Sequence, residues 1–181
     1  VADPGINFTA GSMAVWVKSN LAGNAAILDT AYGSGESEYF GIASVTGGYL
    51  RADFDDGDNG CGRKAVQSTL AYNDSEWHHM VITFIAQGTG RLYIDGIEEG
   101  SGVSLSGCEV EYNPSGVWKL EPNVINGSFD NLMIYNRSLS ASEIYTLYAS
   151  NLRKYDTDKW SFYINQSLNA SDLLPDGAFV Y

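Results

Sequence analysis

Gly127-Ser-Phe-Asp-Asn-Leu-Met-Ile-Tyr-Asn-Arg-Ser-Leu-Ser-Ala-Ser-Glu143 reads as a strand feeding a capped helix. Asp130, Leu132 and Ile134 alternate with Phe129, Asn131, Met133 and Tyr135, the period-2 rhythm of a pleated strand. Ser140 and Glu143 then stand at the Ser-x-x-Glu spacing in which two side chains cap each other's backbone N–H groups. Ile144, Leu147 and Tyr148 supply the apolar face of a short helix near residues 141–149. Alternation places Asp130 on one face with Leu132 and Ile134, the face expected to be buried, where an unpartnered carboxylate is costly.

Upstream the chain is a succession of short alternating runs broken by turn residues. Met13, Val15 and Val17 alternate with Ala14 and Trp16. Ala25–Leu28, Tyr39–Ala43, Tyr49–Phe54 and Ala65–Leu70 are further strands. Trp77-His-His-Met-Val-Ile-Thr-Phe84 alternates again, and Arg91-Leu-Tyr-Ile94 meets Ile97 through Asp95-Gly96, the pair favoured in type I′ hairpin turns. Many short strands, tight turns and a single helix predict an all-β chain, with two antiparallel sheets packed face to face.

Three of these motifs carry a resemblance: Trp77-His-His with its apolar alternation, Arg91-Leu-Tyr-Ile-Asp95-Gly96, and the closing strand with Tyr135-Asn-Arg137 and Leu139-Ser140. In this order and at this spacing they resemble the LamG-like family (laminin G/pentraxin, concanavalin A-like lectin/glucanase). The resemblance covers about residues 5–150 and implies a jelly-roll β-sandwich. Residues 1–150 are therefore expected to form the sandwich, and 151–181 a C-terminal β extension or the start of a following domain. Trp160-Ser-Phe-Tyr-Ile164 in that tail alternates like a strand. Family members usually begin with one strand more than this chain shows. An open sheet edge left there is a pairing liability, open to β-strand addition by the tail or by a neighbouring subunit.

Charge and cysteines narrow the partners. Acidic residues number 22 against 10 Lys and Arg, a net charge of −12. That argues against nucleic-acid backbones and anionic membranes, which basic patches recognise. No apolar run reaches the roughly 20 residues of a spanning helix. Val1 reads as a processed or excised start rather than a signal peptide. Cys61 and Cys108 are the two cysteines. Both lie in Gly-rich loops without metal-ligand spacing, and read as one disulfide formed in an oxidising compartment. Six sequons, at Asn7, Asn73, Asn126, Asn136, Asn165 and Asn169, point the same way, to a glycosylated extracellular or cell-surface protein.

Calcium is the one cofactor expected. In the concanavalin A-like superfamily the Asp that starts this strand often binds a structural calcium together with N-terminal carbonyls. The resemblance therefore implies Asp130, with Gly11 and Asp3 completing an oxygen set of the kind calcium accepts. The acidic loop Asp53-Phe-Asp-Asp-Gly-Asp-Asn59 departs from the EF-hand, having Gly at its fifth position and Lys64 at its twelfth. It reads first as a solvated acidic loop; as a ligand loop on the rim, Asp55, Asp58 and Asn59, with Tyr32 and Trp118, are its candidates to take sugar hydroxyls and stack on sugar rings. His78 and His79, being adjacent on a strand, point to opposite faces and cannot chelate one ion together.

Catalysis finds no inventory. Glycosidases of this superfamily carry Glu-x-Asp-x-x-Glu, which sets two carboxylates about 5 Å apart. Glu36-x-Glu38 and Glu109-x-Glu111 lack the rest of that pattern. No nucleophile elbow, P-loop or His-Glu-x-x-His is present. Two functions remain: a non-catalytic module recognising glycan or protein in adhesion, or a glycosylated structural subunit of a surface layer or filament.

Overall fold

The structure, a computed structural model, describes residues 9–20, 22–29, 40–54, 62–108, 119–120 and 126–155. Its strands are β1 Ala10–Ser19, β2 Ala25–Asp29, β3 Phe40–Val45, β4 Tyr49–Phe54, β5 Lys64–Ala71, β6 Trp77–Ile85, β7 Thr89–Ile94, β8 Ile97–Ser104, β9 Lys119–Leu120 and β10 Gly127–Tyr135. Helix α1, Ala141–Tyr155, follows. Two five-stranded sheets form, in the orders β10-β1-β6-β7-β8 and β5-β4-β3-β2-β9. All pairings are antiparallel. The all-β sandwich with one helix is the architecture that the alternation predicts.

β1 and β6 lie inside the first sheet and are buried on both faces, so their sequences are apolar almost throughout. Met13, Val15, Val17, Met80, Ile82 and Phe84 face the second sheet and meet Ile27, Ile42, Leu50, Ala52, Phe54 and Val66. Phe54 and Phe84 pack edge to face, with centroids 6.3 Å apart, the geometry that ring quadrupoles favour. Gly90 is required there, because a Cβ on it would lie 2.6 Å from the Phe54 ring. The β7–β8 turn is the expected hairpin: Asp95 and Gly96 have φ of +52° and +79°, as a type I′ turn demands.

The opposite face of the first sheet is covered by α1. Ala14, Val81 and Tyr93 contact Leu139 and Ile144. Trp16 is fully buried with Ala149 and Leu152, flanked by Trp77, Tyr148 and Tyr155. Ser12 locks the helix entrance: its Oγ accepts the Leu139 N–H at 2.9 Å and lies 2.9 Å from the Arg137 carbonyl oxygen. The capping box is closed, with Glu143 N–H to Ser140 Oγ at 3.3 Å and Ser140 N–H to Glu143 Oε2 at 2.8 Å.

Two expectations are corrected. The helix does not stop near 149 but continues to Tyr155, because Leu152 and Tyr155 extend the Ile144–Tyr148 face at i+4 and i+7 spacing. The boundary placed at residue 150 therefore falls inside a helix whose last turn is docked. Asp130 also does not share its face with Leu132 and Ile134. Trp16 pairs with Asp130 and Ala14 with Met133, so β10 fits three steps against two of β1. That extra residue is a β-bulge, and Asn131 adopts φ +50° within it. Asp130, like Met133, consequently faces the helix side.

A candidate ligand-binding site on the rim

At one end of the first sheet, β1 finishes beside the start of β10 and the loop before β6. Lys18 pairs with Ser128 on one side and Trp77 on the other, and Ser19 pairs with Gly127. Alternation from Trp16 puts Lys18 and Ser128 on the helix-bearing face. The loop is tied down by a 3.1 Å bond from the Ser75 N–H to the Ser19 carbonyl. The Asn126 Nδ2 donates to Asn20 Oδ1 at 2.9 Å. Ser75 and Asn126 both adopt left-handed backbone, φ +68° and +45°. Between them lies a cavity of about 310 Å³ walled by Lys18, Asn20, Ser75, Asn126 and Ser128, with Ser19 and Gly127 at its floor. Among the described residues its side-chain polar groups are one ammonium, two amides and three hydroxyls, with no carboxylate.

Lys18 is set apart by the way the other cations are used. Among the described side chains, Arg51 and Arg63 clamp Asp53, and Arg91, Arg137 and Lys154 pair with Glu98, Glu143 and Asp130. Lys18 has no ion pair among the described residues. A second cavity, about 320 Å³, opens beside α1 against Tyr135, Leu139 and Leu147. Its charged groups, Arg137 and Glu143, bond to each other at 2.6 and 3.0 Å, and Arg137 holds the Glu143 carboxyl down at about 2. It offers an apolar surface with its charges already satisfied.

The two histidines take different environments, as strand alternation requires. His78 lies between Asp95 and Asp74, with Nδ1 to Asp95 at 2.8 Å and Nε2 to Asp74 at 3.1 Å. Burial opposes its charge, but the two carboxylates outweigh this and hold its pKa above the usual value. His79 is completely buried against Trp16, with centroids 5.0 Å apart. Neither of its ring nitrogens has a hydrogen-bond partner among the described residues, and burial pushes its pKa down to about 4. Asp95 serves both, since its other oxygen accepts the His79 backbone N–H at 2.9 Å.

Of the expected calcium ligands, Asp130 and Gly11 are not brought together. Asp130 stands opposite Trp16 while Gly11 stands opposite Phe84. Five residue steps of β1 separate them, about 17 Å at strand rise. The Asp130 carboxylate is held by Lys154 at 2.8 Å and by its neighbour's Asn131 N–H at 2.7 Å. The Gly11 carbonyl lies 3.3 Å from Thr83 Oγ1. Asp3 lies outside the described residues, and no cluster of three metal-ligating side chains occurs among those described. Tyr32, Asp55, Asp58, Asn59, Trp118 and Cys61 also lie outside them, as do Asn7, Asn165 and Asn169. Of the remaining sequons, Asn136 is exposed, Asn126 lines the cavity, and the Asn73 amide packs so closely on Gly48 that a Cβ there would lie 2.2 Å from it. Cys108 is buried. The cavity itself was missed in the sequence, because Lys18, Ser75, Asn126 and Ser128 are ordinary turn and edge residues until three segments converge.

A family model, the concanavalin A-like lectin/glucanases superfamily, matches residues 1–145. The chain belongs to this superfamily. Solved structures with the same fold include the binding domain of Paraclostridial Mosquitocidal Protein 1, at TM-score 0.64 and 19% identity, over 80% of this chain and 38% of that one. The receptor-binding domain of botulinum neurotoxin mosaic serotype C/D matches at TM-score 0.61 and 18% identity, over 80% and 37%. A botulinum neurotoxin type C structure, whose cell entry is described as dependent on two ganglioside molecules, matches at 0.54 and 15%, over 79% and 36%. The chain thus spans under two fifths of each of these domains. No curated protein sequence matches it.

Proposed function

We propose that this domain is a non-catalytic carbohydrate-recognition module working outside the cell. The observation that carries the reading is the rim cavity: amides and hydroxyls presented at the end of a rigid sheet suit the hydroxyls of one or two sugar units. Its volume lies at the small end of the range for ligand sites. Membership of a lectin-containing superfamily agrees with this, as does a receptor-binding role for the toxin domains of the same fold, though fold alone assigns no ligand. The loops carrying Tyr32, Asp55, Asp58, Asn59 and Trp118 are proposed as a second set of contacts on the rim. Extracellular placement follows from the sequons and from a Cys61–Cys108 disulfide, which accords with the absence of a free cysteine among the described residues. Among the described sequons Asn136, exposed and outside the cavity, is the best placed to carry a glycan. Asn126 is the worst, because a glycan on its Nδ2 would displace Asn20 and fill the site.

The test is binding of the purified chain to a broad glycan array, with Asn20→Ala and Ser128→Ala as variants. We expect retention of a sugar series by a monomer, weakened roughly fivefold or more by either variant, since each removes a hydrogen bond of about 1 kcal/mol. A chain that binds no glycan, or that polymerises into a ladder of masses, would overturn the reading in favour of protein recognition or assembly.

A further inference from the structure

We infer that the rim cavity selects a sugar bearing a single anionic group, a carboxylate or a sulfate ester, and that Lys18 takes that group. The inference deepens the function proposed above and rests on it. Among the described residues lining the cavity Lys18 is the one charged side chain, and the others that carry polar side chains include the neutral donors and acceptors of Asn20, Ser75, Asn126 and Ser128. Elsewhere Arg51, Arg63, Arg91, Arg137 and Lys154 are spent on Asp53, Glu98, Glu143 and Asp130. In a chain of net charge −12, acidic partners abound for any cation within reach. A half-buried lysine on a strand, between Trp77 and Ser128, with no carboxylate among the described residues of the cavity, is placed to meet an anion from outside. A charge-assisted bond to that anion is stronger than a neutral one. The surrounding amides and hydroxyls are left for the ring hydroxyls.

The whole-molecule charge sets a limit on the ligand. Long-range repulsion from an acidic surface opposes extended polyanions, and it weakens as salt screens it beyond about 8–10 Å. The Lys18 contact is short and local. The cavity therefore discriminates between one anionic sugar and a polyanionic chain: a single charge gains the contact without the accumulated repulsion. Lys64, the other described lysine without an ion pair, lies on β5 outside the cavity and provides the control.

The experiment titrates the whole chain with lactose, with its 3′-sialyl and 3′-sulfo derivatives, and with heparin. At physiological salt we expect the singly charged derivatives to bind roughly tenfold tighter than lactose, one charge-assisted bond's worth, and heparin to bind no better than they do. Lys18→Gln should bring the charged and neutral ligands to equal affinity, and Lys64→Gln, outside the cavity, should leave the preference for the charged ones intact. Equal affinities for lactose and its acidic forms in the unaltered chain overturn the inference but leave the recognition module standing. A preference that survives Lys18→Gln places the anion elsewhere and overturns it as well. Absence of binding to every sugar overturns the parent reading.

Discussion

His79 is the residue at which burial and charge conflict most directly. Fully enclosed by Trp16 and, at 6.2 Å, by the stacked ring of Tyr148, its imidazole is held neutral, with a pKa of about 4 against 6.5 in an unfolded chain. Asp95, the carboxylate nearest it, favours the charged form but is outweighed by desolvation. The sign follows from proton counting: below pH 6.5 the unfolded chain binds a proton that the folded chain refuses. Stability is complete above that pH and drains away as the pH falls toward 4, by about 3 kcal/mol in all. Chemical denaturation from pH 7 to 4 should show this loss, and His79→Phe should flatten it. His78 acts with the opposite sign, its raised pKa contributing stability that is lost as pH rises through it. Asp130 gives the second prediction. It is paired with Lys154 on an exposed flank and stands about 17 Å along the sheet from Gly11, so the two do not share a site. Calcium and chelator should leave the thermal midpoint equal, in the unaltered chain and in Asp130→Ala alike; a drop with chelator that Asp130→Ala removes would restore the calcium site.

Among the elements, α1 shows where sequence periodicity was legible and where it was not. Its start was encoded locally, since Ser140 and Glu143 satisfy each other within four residues. Its end was not. The apolar face read from Ile144, Leu147 and Tyr148 stops near residue 149, and docking against Trp16 explains why the helix continues: Leu152 is 5% exposed, and Tyr155 stacks on the Trp16 ring with centroids 4.1 Å apart. Tertiary burial overrode weak local propensity. Ending the chain after Ser150 should therefore uncover Trp16 and cost several kcal/mol, comparable to deleting a buried aromatic, read as a lower denaturation midpoint. Ending it after Tyr155 should cost far less if α1 closes the fold, and equal losses from the two truncations would mean that the tail matters as much as the helix. β10 gives the same lesson for strands. Simple alternation misplaced Asp130 because one residue, Asn131, takes a left-handed conformation that Asn tolerates better than most, and a bulge shifts every later side chain by one face. At the other edge of this sheet, β8 carries its own guard against stray pairing. Glu99 points inward to accept Thr69 N–H, Thr69 Oγ1 and Tyr72 OH at 2.7–2.8 Å. Gly100 and Gly102 break the strand with φ of +66° and +68°.

For the whole molecule, the sandwich was legible because two buried sheets impose a period on nearly every strand, whereas the rim cavity depends on which loops meet, and no period records that. The seam between β5 and β8 is where the two sheets approach at an edge. Cys61 precedes β5 and Cys108 follows β8, so the proposed disulfide would staple this seam. Cys108 is 1% exposed, and its backbone is fixed by its N–H to the Leu105 carbonyl at 3.0 Å and by Gln87 Nε2 to its own carbonyl at 3.1 Å. A bridge closing the loop between the two cysteines constrains the unfolded chain by roughly 4 kcal/mol in the chain-entropy model. In a domain of this size that corresponds to a fall in midpoint of about 10 °C on reduction, and Cys61→Ser with Cys108→Ser should reproduce it. A neutral outcome is informative in a specific way. If the native chain titrates two thiols after denaturation and its midpoint ignores reductant, the cysteines are a buried pair without a bond, and the oxidising, extracellular placement loses one of its two supports, leaving the sequons to carry it.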